Sequence, residues 1–403
     1  MRIDARGRPR SARNTSIGAQ REANEGTLLL YGDSERHAAL RHELPISIID
    51  PFLLGVIEGR VHVMASTLER DRIAAVAPDA VLYDVRDFGY DELMDSDMSR
   101  DQMSLELTSR IAAAMGIREA LADPEMPLIV ADRLRSDGIE LTPDRAAIEA
   151  RRRVKTDAEM AGILRAQRAA EAGMRAAAEM LRGAEHDGDQ LRLDDEPLTA
   201  EAIRGALRDA CAAYGAPAPP DVMVSSGWDG FGHDPGSGPR PAGLPVTIDL
   251  WPRDEESGCW ADMTRTFVVG EVPDEVRELE GVVSEAFAAA RAAVRPGITG
   301  KELHGVACDV FESAGHRTQR TGPADDDPNG GFQFGLGHGV GLEVHEAPSL
   351  GRLGREPLVA GDVIAIEPGL WKTGLGEVRF EDLLLVTEGG SETLTDYPYD
   401  LAP

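Results

Sequence analysis

The stretch Gly335-Leu336-Gly337-His338-Gly339-Val340-Gly341-Leu342-Glu343-Val344-His345-Glu346-Ala347-Pro348 sets one histidine between glycines and a second seven residues later. Glycine on both sides of His338 removes side-chain bulk and lets the backbone approach a ligand closely. Leu342–His345 alternates as a strand does, which puts Glu343 and His345 on one face. The His-Glu pair is not the zincin motif, because position 349 is Ser349 and Pro348 would break the helix that motif needs.

Carboxylates flank this stretch on segments that otherwise read as core. Val246-Thr247-Ile248-Asp249-Leu250-Trp251 alternates, with Asp249 on the face of Thr247 and Trp251. In Asp262-Met263-Thr264-Arg265-Thr266-Phe267, Asp262 shares a face with Thr264 and Thr266. Val363-Ile364-Ala365-Ile366 is an apolar run of the kind buried on both faces, and Glu367 ends it. In Gly376–Val386, Arg379, Glu381 and Leu383 share a face, so Asp382 points away from Glu381. An isolated buried carboxylate neutralises unless it is paired or bound to metal.

These segments occur twice in one order. A long helix at 156–181 and a helix opening at Leu198-Thr199-Ala200-Glu201 precede a glycine-rich stretch with His233, then Asp249 and Asp262. A helix at 274–294 and one opening at Ile298-Thr299-Gly300-Lys301-Glu302 precede His338, then Glu367 and Glu381. The carboxylate spacings are 13 and 14 residues. A duplicated αβ unit with a site between its halves is the expectation. Asp249, Asp262, His338, Glu367 and Glu381 would give one imidazole and four carboxylates, which two divalent cations balance. Such an oxygen-rich shell favours manganese or cobalt, with iron or zinc left open. Two such ions hold a water between them and lower its pKa for hydrolysis.

Residues 155–390 resemble the pita-bread metallopeptidases: methionine aminopeptidase, aminopeptidase P, prolidase and, without metal, creatinase. The likeness rests on Asp249, Ala261–Phe267, Gly337–Pro348, Ile366-Glu367-Pro368-Gly369 and Val378-Arg379-Phe380-Glu381-Asp382. It implies a dinuclear centre held by the five residues above, with Asp249 and Glu381 bridging. It also implies that His233 and His345 contact substrate and stabilise the tetrahedral intermediate. Residues 26–150 resemble the creatinase/prolidase N-terminal domain by length and by the entry Lys155-Thr156-Asp157-Ala158-Glu159. That arrangement implies the prolidase/aminopeptidase P branch, a short Xaa-Pro peptide substrate and a homodimer. Two departures bear on the substrate pocket. Asp249-Leu250-Trp251 replaces the family's Asp-x-Gly, and Asp234-Pro235 follows His233 where the family has an aromatic residue. Trp251 is therefore a candidate substrate contact, as are Arg352 and Arg355, either of which could clamp a product carboxylate. The alternatives are a metal-dependent C–N hydrolase of a small amidino or cyclic compound and a binding module on the same scaffold.

The fold class expected is mixed α/β (α+β): a creatinase-like domain at 26–150, a pita-bread domain at 151–403, and a disordered tail at 1–25. Within the first domain, Thr27–Tyr31, Val61–Ala65, Ala80–Val85 and Pro127–Ala131 read as strands. Ser34–Glu43, Leu68–Val76 and Arg100–Met115 read as helices, and Leu141–Val154 as a charged helix or connector. The 403 residues carry 71 acids against 42 Lys+Arg, a net charge of −29, which disfavours a nucleic-acid partner. No apolar run reaches membrane-spanning length. Only Lys155, Lys301 and Lys372 are available for amine chemistry. Cys211, Cys259 and Cys308 are too scattered for a disulfide framework, which fits the cytoplasm.

Overall fold

The computed structural model describes residues 26–403, so the expected tail at 1–25 lies outside the described residues. The chain divides into two compact units between Arg152 and Arg153.

The first unit is built on a six-stranded sheet. Its strands are β1 (Leu28–Gly32), β2 (Phe52–Ile57), β3 (Arg60–Ala65), β4 (Val81–Asp84), β5 (Glu119–Ala122) and β6 (Glu140–Pro143), in the order β4-β3-β2-β1-β5-β6. The β1–β2 and β2–β3 pairs are antiparallel and the others parallel. Every residue of β1 is buried, because alternate side chains enter separate cores: Leu29 and Tyr31 in one, Leu28 and Leu30 in the other. The helix Arg100–Ala114 starts at a capping box of Ser99 and Gln102.

Two expectations in this unit are corrected. Pro127–Ala131 is not a strand; Leu128–Ser136 is a helix that follows Pro127, with Val130, Ala131 and Leu134 buried. Leu128 and Ile129 are exposed, so the apolar run is one side of a helical stripe rather than a buried strand. The helix at Ser34–Glu43 shortens to Ala38–Glu43, because Asp33 Oδ1 accepts from the backbone N–H groups of Glu35 and Arg36 in a preceding turn.

In the second unit the order of elements repeats. Its first half has the helix Asp157–Gly183, a small sheet of β7 (Glu185–Asp187), β8 (Gln190–Leu193) and β9 (Glu196–Pro197), and the helix Ala200–Ala213. The antiparallel sheet β10 (Met223–Ser226), β11 (Val246–Leu250) and β12 (Met263–Phe267) follows. Its second half has the helices Asp274–Ala293 and Gly300–Ser313. An antiparallel sheet follows in the order β14-β13-β15-β18-β19: β13 (Gly337–Gly339), β14 (Glu346–Ser349), β15 (Val363–Ile366), β18 (Asp382–Thr387) and β19 (Gly390–Thr393). Thr199 and Thr299 accept at the N-termini of the corresponding helices Ala200–Ala213 and Gly300–Ser313, and Thr156–Glu159 and Thr299–Glu302 form capping boxes. The hairpin β16 (Gly369–Lys372) and β17 (Gly376–Arg379) connects β15 to β18.

Threonine hydroxyls tie this hairpin to the first half. Thr247 Oγ1 donates to the Glu377 carbonyl at 2.9 Å, and Thr266 Oγ1 accepts from the Arg379 amide at 3.0 Å. That accounts for polar side chains on two wholly buried strands: they satisfy backbone groups of a third.

Candidate metal centre

Each of the five candidate ligands lies on or beside a strand of the two sheets. Asp249 is on β11 and Asp262 directly precedes β12, while His338 is on β13. Glu367 directly follows β15, and Glu381 lies between β17 and β18. Side-chain oxygens and nitrogens gather into overlapping groups, each within 4.8 Å: Asp249, Asp262 and Glu381; His338, Glu367 and Glu381; Asp262, His338 and His345. Glu381 is common to the first two groups, and Asp262 reaches both Glu381 and His338. Asp249 joins only the first group, whereas Asp262, Glu381 and His338 each join two.

The glycines around His338 do a different job from the one expected. A Cβ on Gly337 would lie 2.0 Å from the Ala365 carbonyl oxygen, and one on Gly339 would lie 2.2 Å from that of Ala347. They let β13 pass between the backbones of β15 and β14, so the close approach is to neighbouring strands. The His338 ring is thereby fixed. Its Nδ1 lies 3.1 Å from the Gly339 carbonyl, a geometry that puts the proton on Nδ1. Nε2 then faces Asp262 at 3.7 Å and Glu367 at 3.6 Å with its lone pair free.

Burial and mutual repulsion make this carboxylate set unfavourable as a bare anion. Burial, then Glu381 and Asp249, hold the Asp262 carboxyl well above its ordinary range. Burial, then Glu367 and Asp249, do the same to Glu381. Glu367 is pushed up to about 7, chiefly by burial and against the pull of Arg379. Burial lowers His338 to about 3, with His345 adding to the effect. Buried Asp249 Oδ1 and Glu381 Oε1 have no hydrogen-bond partner. Orphaned acceptors, crowded carboxylates and an outward imidazole lone pair fit divalent cations.

Supporting residues complete the set. Thr264 Oγ1 donates to Glu381 Oε2 at 2.7 Å. Arg379 donates from Nη2 to Asp249 at 2.9 Å and from Nη1 to Glu367 at 3.1 Å, and its Nε faces Glu377 at 3.6 Å. Arg265 donates to the backbone carbonyls of Thr264 and Glu381 and, at 2.9 Å, to Asp382. Asp382 thus turns away from the ligands. The sequence signal for Arg379 and Glu377 is the alternation 377, 379, 381, which puts both on the face of Glu381.

A cleft of about 430 Å³ opens on this centre, lined by residues that include His233, His338, His345, Glu367, Glu377 and Arg379, with Phe231 and Phe334 as aromatic walls. His345 packs edge-on against His338 with ring centroids 4.1 Å apart. Burial, then His233, lowers the His345 pKa, which keeps that imidazole neutral. Leu342–His345 is not the alternating strand expected; it is a bend before β14, and bent backbone is what brings His345 back beside His338. Glu346 pairs instead with Lys155, both side chains being 3% exposed.

Three candidate substrate contacts fall elsewhere. Arg352, Arg355 and Trp251 are not among the residues lining the cleft. The loop after β14 turns back against the start of the helix Gly300–Ser313, where the Gly354 carbonyl accepts from the Lys301 amide at 2.7 Å. Arg352 is spent on the Gln319 carbonyl at 2.9 Å. Trp251 is half-buried where the chain leaves β11. His304 is buried in that helix beside Cys308.

The model of metallopeptidase family M24 matches residues 161–388. The Xaa-Pro dipeptidase of Pyrococcus furiosus is 40% identical over 135 residues, which are 34% of this chain and 35% of that protein. That of Pyrococcus horikoshii is 36% identical over 177 residues, 43% and 46% of the two chains. The aligned stretches therefore span less than half the length of these relatives. Among solved structures, the prolidase from Pyrococcus horikoshii OT3 superposes with a TM-score of 0.72 at 22% identity, over 96% of this chain and 98% of that one. The Xaa-Pro dipeptidase from Bacillus anthracis gives 0.75 at 20%, over 95% and 96%. These likenesses establish the fold along the chain.

Proposed function

The chain belongs to metallopeptidase family M24, and from that premise we propose that it hydrolyses the peptide bond between an N-terminal residue and proline. The observation that carries this reading is the convergence of Asp249, Asp262, His338, Glu367 and Glu381 beneath a cleft lined by His233 and His345. The named activity of the Pyrococcus relatives supports the choice of Xaa-Pro substrate.

In this reading the five residues hold two divalent cations, manganese or cobalt by the oxygen-rich donor set. When bound, the cations supply a water of lowered pKa as nucleophile and polarise the scissile carbonyl. Asp262 and Glu381 would be among the carboxylates that hold the cations, and the hydrogen bond from Thr264 holds Glu381 in place. Arg379 holds Asp249 and Glu367 in place. His345, neutral at working pH, donates a hydrogen bond to the oxygen that gains charge as the carbonyl becomes tetrahedral. His233, which also lines the cleft, contacts the substrate in this reading.

The proposal includes a homodimer in the cytoplasm. Cys211, Cys259 and Cys308 are buried and unpaired, which suits a reducing compartment, and no helix among the described residues is long and apolar enough to cross a membrane. Sedimentation velocity tests the dimer. Chelation followed by assay on Xaa-Pro peptides tests the reaction. Hydrolysis should vanish and return with manganese, and full activity in verified metal-free protein would overturn the reading.

A further inference from the structure

A dipeptide ends in a carboxylate whose carbon lies about 2.5 Å from the scissile nitrogen, so that charge must enter the same cleft as the reacting bond. The lining offers it no uncommitted guanidinium. Arg379 is the arginine among the lining residues, its side chain is 8% exposed, and its three nitrogens face Asp249, Glu367 and Glu377. Arg352 and Arg355 lie outside the cleft.

Glu377 lines the cleft yet belongs to none of the three ligand groups. The four ligand carboxylates match two dications in charge, which leaves Glu377 as the counter-charge of Arg379. The position is also built. Glu377 pairs across the hairpin with Trp371, whose ring meets Phe231 edge-on with centroids 5.4 Å apart. The carboxylate and the aromatic rim therefore share one rigid hairpin.

We propose that Glu377 is a specificity-determining residue that disfavours a free carboxylate on the residue after the scissile bond. The enzyme then prefers Xaa-Pro units whose proline is amidated or followed by further residues over free dipeptides. A like charge confined with Glu377 in the cleft meets a repulsion that an isosteric amide does not. This inference rests on the Xaa-Pro reading above.

The test compares alanylproline with alanylprolinamide on manganese-loaded wild-type protein and on E377Q. Wild type should show a kcat/KM for the amide at least about tenfold above that for the acid. E377Q should bring the ratio towards one. Because both substrates are measured on one preparation, differences in folding or metal loading cancel in the ratio. A wild-type ratio at or below one, or a ratio that E377Q leaves unchanged, overturns the role of Glu377 while the Xaa-Pro reading stands. If loaded wild type cleaves neither compound, the Xaa-Pro reading falls and this inference with it.

Discussion

Arg379 donates from Nη2 to Asp249 Oδ2 at 2.9 Å and so links a strand of one half of the catalytic unit to a hairpin of the other. Burial opposes the guanidinium charge, yet Glu377, Asp249 and Glu367 raise its pKa above the usual value. Arg379→Ala leaves these carboxylates without their cation. The metal-free variant should lose about 3–5 kcal/mol at pH 7.5, the cost of breaking a buried ion pair. At pH 5 Glu367 and Glu377, whose carboxyls burial holds above the ordinary range, are more protonated in both proteins and the loss should shrink. Urea unfolding at the two pH values measures it, and an equal loss at both would reject the electrostatic account.

His345 and His338 are in ring contact but are assigned different work. His345→Ala should keep the parent metal content and lose about 10²–10³ in kcat, the usual cost of an oxyanion donor. His338→Ala should lose metal and activity together. The grouping of His345 with Asp262 and His338 makes metal analysis the deciding measurement. A metal-depleted His345→Ala beside a fully loaded His338→Ala would reverse the roles.

The Thr264 hydroxyl meets the candidate centre at Glu381. Thr264→Val keeps the shape of the strand and removes the 2.7 Å hydrogen bond to Oε2. Loss of such a supporting hydrogen bond typically costs 10- to 100-fold in metal affinity or activity. Calorimetric titration with manganese should therefore show at least about tenfold weaker binding. An unchanged affinity would assign the hydroxyl to packing alone.

Metal uptake should be coupled to proton release. In metal-free protein, burial holds Glu367 near 7 and keeps Asp262 and Glu381 above their ordinary values. A carboxyl with a raised folded pKa makes the metal-free fold less stable as pH climbs from about 4.5 to about 7. Binding requires the ionised form, so at pH 6 loading should expel at least about one proton per chain. Titration in buffers of different ionisation enthalpy reads this directly. The number released should fall by pH 8, where Glu367 is already ionised.

Much of the candidate centre is readable because the candidate ligands break the pattern around them. Asp249 and Glu367 interrupt or end apolar strands, and their spacing repeats between the halves. Bends erase that pattern, so alternation misread Leu342–His345. An apolar run of five residues does not separate a strand from the first turns of a helix, which is how Pro127–Ala131 was misassigned. The strand Phe52–Ile57 also has the composition of a buried strand. Arg352 and Arg355 were plausible by proximity in sequence, but two glycines turn their loop towards another helix. The partnership of Arg379 with Asp249 joins residues 130 positions apart, a relation that local spacing does not carry.

Asp249 and Asp262 come from the first half of the catalytic unit, and His338, Glu367 and Glu381 from the second. Cations bound here would therefore act as a clasp across the seam between two similar lobes. At a free metal concentration of 1,000 Kd the clasp would add about 4 kcal/mol against unfolding. Starvation for metal would then threaten the survival of the protein as well as its turnover, since proteases find a loosened seam before they find a folded lobe. Cellular abundance of this chain should follow metal supply even where transcription does not.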